Sequence, residues 1–420
     1  MGKVTKSATT PHPSPRSGSE NASPHGLQRL GSLDAYRGLV MLAIASHGLG
    51  INAAAKHFPH SRLWAALAHQ SDHVPWVGCV FWDLIQPSFM FMVGVAMAYS
   101  YARRRERGDS YGSMLRHAVT RSLVLVALGV LLASNWSQRA QFVFVNVLAQ
   151  IGLGYTFLFL LWGRRAGVQL LTALVVLIGY WTWFALYPLP GPDFDHAAVG
   201  VPADWEHLQG FAAHWDKNTN AAAAFDMWLL NRFPRSEPFV FNRGGYQTLN
   251  FIPSLATMIF GLMAGELLRG SRRGTHKLAW LVGVGLLGLV VGAALGGWGI
   301  CPVVKRIWTP SWALFSAGWA CLLLAGFYGS IDLCGRYRWA LPVRGCAFPL
   351  IVVGMNSLLM YMMAQLAAGW TRNTLKIHLG ADYAGVFGSA YAPIVEAGCV
   401  VLVFWLFCLW LYRQKVFLRV

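Results

Sequence analysis

Charge is scarce in this chain of 420 residues. Asp, Glu, Lys and Arg make up only 12% of it, about half the ~25% usual for soluble domains, which excludes a disordered chain and an ordinary cytosolic enzyme. Acids are scarcer than bases, 17 against 34, giving a net charge of +17. The basic residues fall in short clusters between apolar runs, so their excess speaks of membrane sidedness; no nucleic-acid partner is expected. The seven cysteines form no CxxC and have no regular spacing, which argues against a zinc ribbon or a disulfide scaffold. Cys321, Cys399 and Cys408 sit inside apolar runs as packing residues. His69 and His73 are spaced i, i+4 around Asp72, with His57 and His60 nearby, but no HExxH or defined third ligand accompanies them, so no metal is expected. The glycines between residues 281 and 298 follow no strand and read as helix-packing surface, not a nucleotide fingerprint. Nor is a cleavable signal peptide expected, because the first apolar run begins after Gly31, exceeds the length of an h-region and lacks a small-residue cleavage site.

What the chain has in abundance is apolar sequence. Hydrophobic residues make up 55% of it, and ten segments approach the ~20 residues that span ~30 Å of hydrocarbon as a helix. They lie near 33–54, 80–102, 116–134, 142–162, 167–187, 247–268, 278–299, 309–331, 348–370 and 391–412. The two-residue alternation of a barrel strand is missing. The expected fold is therefore all-α: a polytopic membrane protein with about ten transmembrane helices, contacting membrane lipids. Residues 1–28, rich in Ser, Pro and His, are expected to form a disordered cytoplasmic tail, and 29–420 a single transmembrane domain. With an even number of spans both termini share a side. The tail, the alternate turns and the C-terminus hold 23 of the 34 basic residues, which predicts that this side is cytoplasmic. Two loops on the other side, 55–79 and 188–246, are longer than connectors require. They are expected either to cap an exterior cavity or, through their tryptophans, to form a collar at the lipid headgroups.

Ionisable groups within the spans are costly, roughly 2.5–3.5 kcal/mol each at mid-membrane, and they mark functional candidates. Asp83 stands near the exterior end of span two, four residues before Pro87, which is expected to kink the helix. Ten residues earlier, His73 lies in Asp72-His-Val-Pro-Trp76. A carboxylate bonded to one imidazole nitrogen fixes the tautomer and raises the basicity of the other nitrogen. His73 is thus either a general base, should its loop fold back on Asp83, or a solvated loop histidine. Glu266 and Glu396 lie closer to span ends and are weaker candidates. Asp34 and Arg37 share a helical face and suit an ion pair. Asn250 and Asn356 suit interhelical hydrogen bonds or a cavity lining.

Several separated motifs then occur in order: Ser32-Leu-Asp-Ala-Tyr-Arg37-Gly38; His73-x-x-Trp76-x-Gly78-x-x-x-x-Asp83-Leu-x-x-Pro87; Gly261-x-x-Ala264-Gly265; Lys305-x-x-Trp308-Thr-x-Ser311; and Gly354-Met-Asn-Ser357. Over residues 30–412 the chain resembles the membrane domain of heparan-α-glucosaminide N-acetyltransferase and its bacterial relatives of the NagX type. The resemblance implies an acyltransferase of a bacterial inner membrane that moves an acetyl group from cytosolic acetyl-CoA to an amino sugar or envelope glycan outside. His73 matches the catalytic histidine, acting as general base or through an acetyl-histidine intermediate, and Asp83 is its partner. His47 resembles the histidine that follows Arg-Gly in broader acyltransferase families and is a second candidate base. Arg37, Arg269, Arg272 and Arg273 are candidates for the phosphates of acetyl-CoA, with Asn250, Asn356 or Ser357 as oxyanion donors and the pantetheine arm threading the bundle. A homodimer is a further expectation. The alternative is an inner-membrane transporter of amino sugars or oligosaccharides, although no inverted repeat is evident.

Overall fold

The computed structural model describes residues 30–336 and 341–418; the tail assigned to residues 1–28 lies outside them. Among the described residues there are fifteen α-helices and no strand, only an isolated antiparallel bridge between Val77 and Val304. Eight helical stretches are long and apolar enough to cross a membrane: Gly31–Ala55, Phe81–Glu106, Tyr111–Ser134, Ala166–Leu186, Thr248–Arg269, Gly274–Gly297, Pro310–Leu333 and Ser389–Arg413. This is a polytopic helical membrane protein.

Two of the ten expected spans take another form. The fourth is α6 (Val147–Leu161), whose fifteen residues rise only about 22 Å. Asn146 causes the shortening. Its side-chain oxygen caps the helix by accepting from Ala149 N at 3.0 Å, and its amide donates to Gly129 O at 2.9 Å, so the residues before it stay outside the helix. The ninth is broken into α12 (Leu341–Met355) and α13 (Ser357–Leu366), bent by 74°. Asn356 between them leaves the helical region, at φ −121° and ψ 40°. Its amide donates to Val416 O at 3.2 Å and accepts from Leu418 N at 3.0 Å, tertiary bonds that replace a helical turn. Pro87 does not kink a helix. It lies in the first turn of α4 (Ile85–Glu106), where its missing N–H has no intrahelical partner to lose.

At the centre of the bundle are α4 and α9 (Phe251–Arg269), buried along most of their lengths; α5 (Tyr111–Ser134) and α10 (Gly274–Gly297) turn most of their surface outward. Outward side chains such as Leu171, Ile178, Leu287 and Val290 are apolar, as a lipid-facing surface requires. Glycines let the central helices touch backbone to backbone. A Cβ on Gly94 of α4 would strike Met258 O of α9, and one on Gly261 would strike Phe91 O. On the other side α1 (Gly31–Ser46) meets α12, where Gly38 faces Leu350 O and Gly354 faces Asp34 O. Close approach of this kind supplies van der Waals packing where lipid removes the hydrophobic drive between helices.

The long loops build a second, smaller core at one end of the bundle, in which Trp76, Trp215, Leu249, Cys301, Val304 and Ile307 pack against Tyr180 and Phe184 of α7 (Ala166–Leu186). The tryptophans of residues 188–246 divide between roles, with Trp215 fully buried in this cap and Trp228 more than half exposed.

Replacing Gly354 with Ala is expected to destabilise the protein by about 1–3 kcal/mol or more through overpacking, seen as a lower thermal midpoint in detergent. Gly112→Ala, where a Cβ meets no atom within 4 Å, serves as the control; equal midpoints for the two variants would refute the α1–α12 contact.

Candidate functional site

His73 lies in the irregular stretch that follows α3 (Arg62–Gln70), and three contacts fix that stretch. The Trp76 indole enters the cap and donates to Trp215 O at 3.0 Å, Gly78 N donates to Val303 O at 2.9 Å, and Val77 bridges Val304. Opposite runs the loop between α10 and α11 (Pro310–Phe327). Thr309 holds it by accepting from Trp312 N as the helix cap and from Val304 N at 3.0 Å, while Ser311 donates to Pro302 O at 2.7 Å. Arg306 ties the same loop to the cap, its guanidinium donating to Gly244 O at 2.7 Å.

Asp83 stands between these segments on the single turn Phe81–Leu84 that precedes α4. Its fully buried carboxylate accepts four hydrogen bonds. Oδ1 takes His73 Nδ1 at 2.7 Å and Lys305 Nζ at 3.1 Å, and Oδ2 takes Val80 N at 3.3 Å and Val74 N at 3.4 Å. The loop has folded back, bringing together the histidine and the carboxylate that sit ten residues apart.

Lys305 is the third member of the cluster, buried, with Nζ also 3.1 Å from His73 Nδ1. Burial pushes its ammonium down to about 8, against the opposing pull of Asp83. An ammonium has only protons to offer and Oδ1 only lone pairs. The arrangement consistent with charged Lys305 has both it and the Nδ1–H donating to Oδ1, which leaves the lone pair on His73 Nε2. That nitrogen has no hydrogen-bond partner among the described residues, and the side chain is 35% exposed. The site therefore offers an oriented imidazole with a neutral Asp–Lys pair behind it. Lys305 appears in the sequence within a motif but carries no role there; the available signal was a lysine set in the apolar loop Cys301–Trp308.

The other residues singled out from the sequence are elsewhere or otherwise engaged. His47 begins a left-handed turn and lines a different cavity with Arg372 and Glu396. Asn250 donates to Arg306 O at 2.8 Å and so steadies the lysine loop. Asn356 spends both amide groups on residues 416 and 418, and Ser357 accepts from Arg37. Asn356 and Ser357 thus lie with Arg37, away from His73.

At the bundle's opposite, arginine-rich end is a cavity of about 240 Å³. Arg37, Arg103 and Arg121 line it with Asp34, Tyr99 and Tyr155, and Phe89, Met92 and Leu148 form its apolar part. Arg121 lies over the Tyr155 ring at 4.8 Å. Arg269, Arg272 and Arg273 are not part of its wall; Arg272 covers the Trp280 ring at 5.4 Å. Helix packing, invisible in the basic clusters themselves, selects Arg103 and Arg121 instead. His73 and Asp83 do not line this cavity. Phe89 is six residues along from Asp83, about 9 Å of helix, and Tyr36 donates to Ser88 Oγ at 2.8 Å in the buried layer between them.

The family model described as "Heparan-alpha-glucosaminide N-acetyltransferase, catalytic" matches residues 29–194, a range that includes His73 and Asp83. The human heparan-alpha-glucosaminide N-acetyltransferase is 23% identical over 379 residues, covering 80% of this chain and 52% of its own length. The mouse protein of the same name is 23% identical over 382 residues, covering 80% and 53%. Over these residues the chain is similar to the heparan-α-glucosaminide N-acetyltransferase family. It spans about half the length of the curated relatives it matches. Within the family-model range the pair His73–Asp83 is set on the cap and on α4; Lys305 and Arg306 complete the site from beyond that range.

Asp83→Asn is expected to cost about 3–5 kcal/mol, because Lys305 is left as an uncompensated buried charge. Adding Lys305→Met should recover a large part of that loss in chemical unfolding of the detergent-solubilised protein. Simple additivity of the two losses would refute the pairing.

Proposed function

We propose that the protein is a membrane acyltransferase that moves an acetyl group from acetyl-CoA, bound at the arginine-rich end, to an amino sugar or envelope glycan at the His73 end. In this reading the membrane is a bacterial inner membrane and the arginine-rich end, with both termini, faces the cytoplasm, in accord with the bias of basic residues. The observation that carries the proposal is His73 Nδ1 held by buried Asp83 at 2.7 Å while Nε2 stays unengaged. The names of the human and mouse relatives support the reaction class.

The acetyl thioester is already activated, so the protein has to position it and manage one proton. Nε2 accepts the proton of the acceptor amine or hydroxyl as that atom attacks the thioester carbonyl. The tetrahedral adduct then expels the CoA thiolate, which takes the proton from Nε2. Alternatively Nε2 itself attacks and expels the CoA thiolate, the acceptor then attacks the acetyl-imidazole, Nε2 leaves, and the acceptor's proton passes to the thiolate; the same geometry serves both routes. Asp83 stabilises the imidazolium and fixes the tautomer. Lys305 offsets part of that stabilisation while it is charged, and it contacts Nδ1, so it sits on the far side of the ring from the reacting nitrogen. As pH rises through about 8, Lys305 loses its proton, the offset disappears, and Asp83 stabilises more fully the imidazolium formed during transfer.

The arginine-end cavity suits the donor in character. Three guanidiniums in its wall match phosphates, and Phe89, Met92 and Leu148 offer an apolar surface to the methylene and methyl groups of a slender arm. At about 240 Å³ it would take the arm and leave the nucleotide outside. One observation favours a second reading. The packed layer of Tyr36, Ser88 and Phe89 separates the two ends, as alternating access of an amino-sugar transporter would require. Sugar uptake by proteoliposomes without acetyl-CoA would favour that reading.

In proteoliposomes supplied with radiolabelled acetyl-CoA and external glucosamine, His73→Ala is expected to lower labelled sugar by about 10²–10⁴-fold while acetyl-CoA still binds. Retained turnover would reject the assignment. Arg121→Ala should raise KM for acetyl-CoA roughly tenfold, the scale of one lost charge-assisted bond, with little change in KM for the sugar. Lys305→Met should remove the alkaline activation near pH 8 from the pH–rate profile; an unchanged profile would dismiss Lys305 as a modulator of His73.

A further inference from the structure

Helix α3 is too short and too bare to maintain itself. An isolated helix of fewer than about 12–15 residues is marginal in water, and α3 has nine residues, none of them buried. Ser61 caps its start by accepting from Trp64 N at 3.4 Å, and the Phe58 ring stacks on that of Trp64 with 5.0 Å between centroids. These contacts secure one side of the helix only. Leu63 and Leu67, four residues apart and so on one face, are 67% and 40% exposed. Arg62 and His69 lie on another face and are exposed too. Helix α3 is thus amphipathic, with an apolar face that the described residues leave open.

Its place in the fold says what covers that face. One membrane-crossing stretch ends at Ala55, before α3, and the next begins at Phe81, after it. A third, Ser389–Arg413, begins beside it, with the Tyr391 ring 6.1 Å from that of Trp64 and 5.6 Å from that of Phe58. Three spans thus meet the bilayer surface at the level of α3. Close to Tyr391 in the chain, the short turn Tyr383–Phe387 leaves Val386 and Phe387 exposed as well. Tryptophan and tyrosine at such a level suit the membrane–water boundary, where the ring sits in an apolar layer and its polar tip in a wet one.

The charge of the segment selects the kind of lipid. Residues 51–71 carry Lys56 and Arg62 with His57, His60 and His69, and no acid. Lys56 and Arg62 are exposed and make no hydrogen bond or ion pair among the described residues. Acids close by are engaged elsewhere: Asp72 accepts from His73 N at 2.7 Å, and Glu396, in α15 (Ala392–Arg413), pairs with Arg372 and Lys376. Apolar side chains flanked by unpaired cations fit anionic headgroups above acyl chains. We propose that α3 is a membrane-surface helix that docks on anionic phospholipid of the leaflet at the His73 end, with Leu63 and Leu67 among the acyl chains and Lys56 and Arg62 at the phosphates. The docking bears on the site. Gln70 Oε1, at the end of α3, accepts at 2.8 Å from Phe81 N on the turn that carries Asp83, and Ser71 Oγ donates back to Leu67 O at 2.6 Å before the chain reaches His73. Lipid that orders α3 thereby steadies the approach to the His73–Asp83 pair. A transferase and a transporter would use such a helix alike, so its test needs neither activity.

Amide hydrogen exchange across residues 56–72, read by mass spectrometry on the full chain, provides that test in nanodiscs of phosphatidylcholine alone or mixed equally with phosphatidylglycerol. Exchange in α3 is expected to be about tenfold slower in the anionic discs, the scale of one to two basic residues at an anionic surface. Replacing both leucines, Leu63→Ser with Leu67→Ser, should speed exchange in the anionic discs by about tenfold or more. Lys56→Gln with Arg62→Gln should bring the rates in the two lipids together. Ala66→Lys, at an exposed position beside the cationic face, removes no contact and should widen the difference, which guards against a folding defect in the other variants. Equal exchange in the two lipids, in the wild type and the leucine variant, or in the wild type and the Ala66→Lys protein would overturn the docking.

Discussion

The buried carboxylate of Asp83 is the constraint on which the His73 end of the molecule depends. An ionised group removed from water loses several kcal/mol of solvation even after the protein relaxes, and Asp83 recovers it through four donors from two separate segments. Those donors are the backbone N–H groups of Val74 and Val80, the imidazole of His73 and the ammonium of Lys305. Because every donor has to reach one carboxylate, the stretch after α3, the turn Phe81–Leu84 that carries Asp83 and the loop before α11 are held in a single relative position. The apolar cap around Trp76, Val304 and Ile307 then excludes water from the same junction. Rigidity at His73 follows from electrostatics and packing together, with no need for His73 itself to be deeply buried.

Much of this was legible in the sequence, and the parts that were not share a physical origin. Uninterrupted apolar runs specify helices across a membrane because lipid leaves the backbone no other partner, so eight of the spans were readable from composition. The runs that contain Asn146 and Asn356 were misjudged in length or straightness. Each asparagine finds its partner elsewhere in the fold, Gly129 O in one instance and residues 416 and 418 in the other, and hydropathy is blind to such bonds. His73 and Asp83 could be named as a pair because a histidine close in sequence to an intramembrane carboxylate is chemically suggestive. Lys305 could not be assigned to them, since 222 residues separate it from Asp83 and only helix packing brings it near.

The arginines teach the same lesson from the opposite end. Arg103, Arg121 and Arg269 all lie in or beside basic clusters that bias orientation. Only the first two line the cavity with Arg37: the contact of α4 with α9 at Gly94 and Gly261 sets the face on which Arg103 of α4 lies, and the contact of α5 with α6 at Gly129 and Gly152 sets that of Arg121 on α5. Glycines that carry no chemistry thereby decide which guanidiniums face inward. A cluster of like charges reports a side of the membrane; the face of each helix decides a site.

Between the two ends, the layer of Tyr36, Ser88 and Phe89 sets a limit on how any reaction across the bundle proceeds. A standing water-filled passage would leak ions, whereas a packed layer with its one hydroxyl pair satisfied internally at 2.8 Å does not. Opening it for a slender apolar chain exposes few polar groups, only the Tyr36–Ser88 bond, and the adjoining Phe89, Met90 and Phe91 are apolar side chains that such a chain can replace contact for contact. Passing a hydrated sugar would demand far more, since each hydroxyl stripped of water in that layer costs roughly 1–3 kcal/mol without a partner, and the layer supplies only two hydroxyls. The same cost falls on any polar group of a chain threaded through the layer, amides included, unless it meets Tyr36 or Ser88, so those two hydroxyls set what can cross.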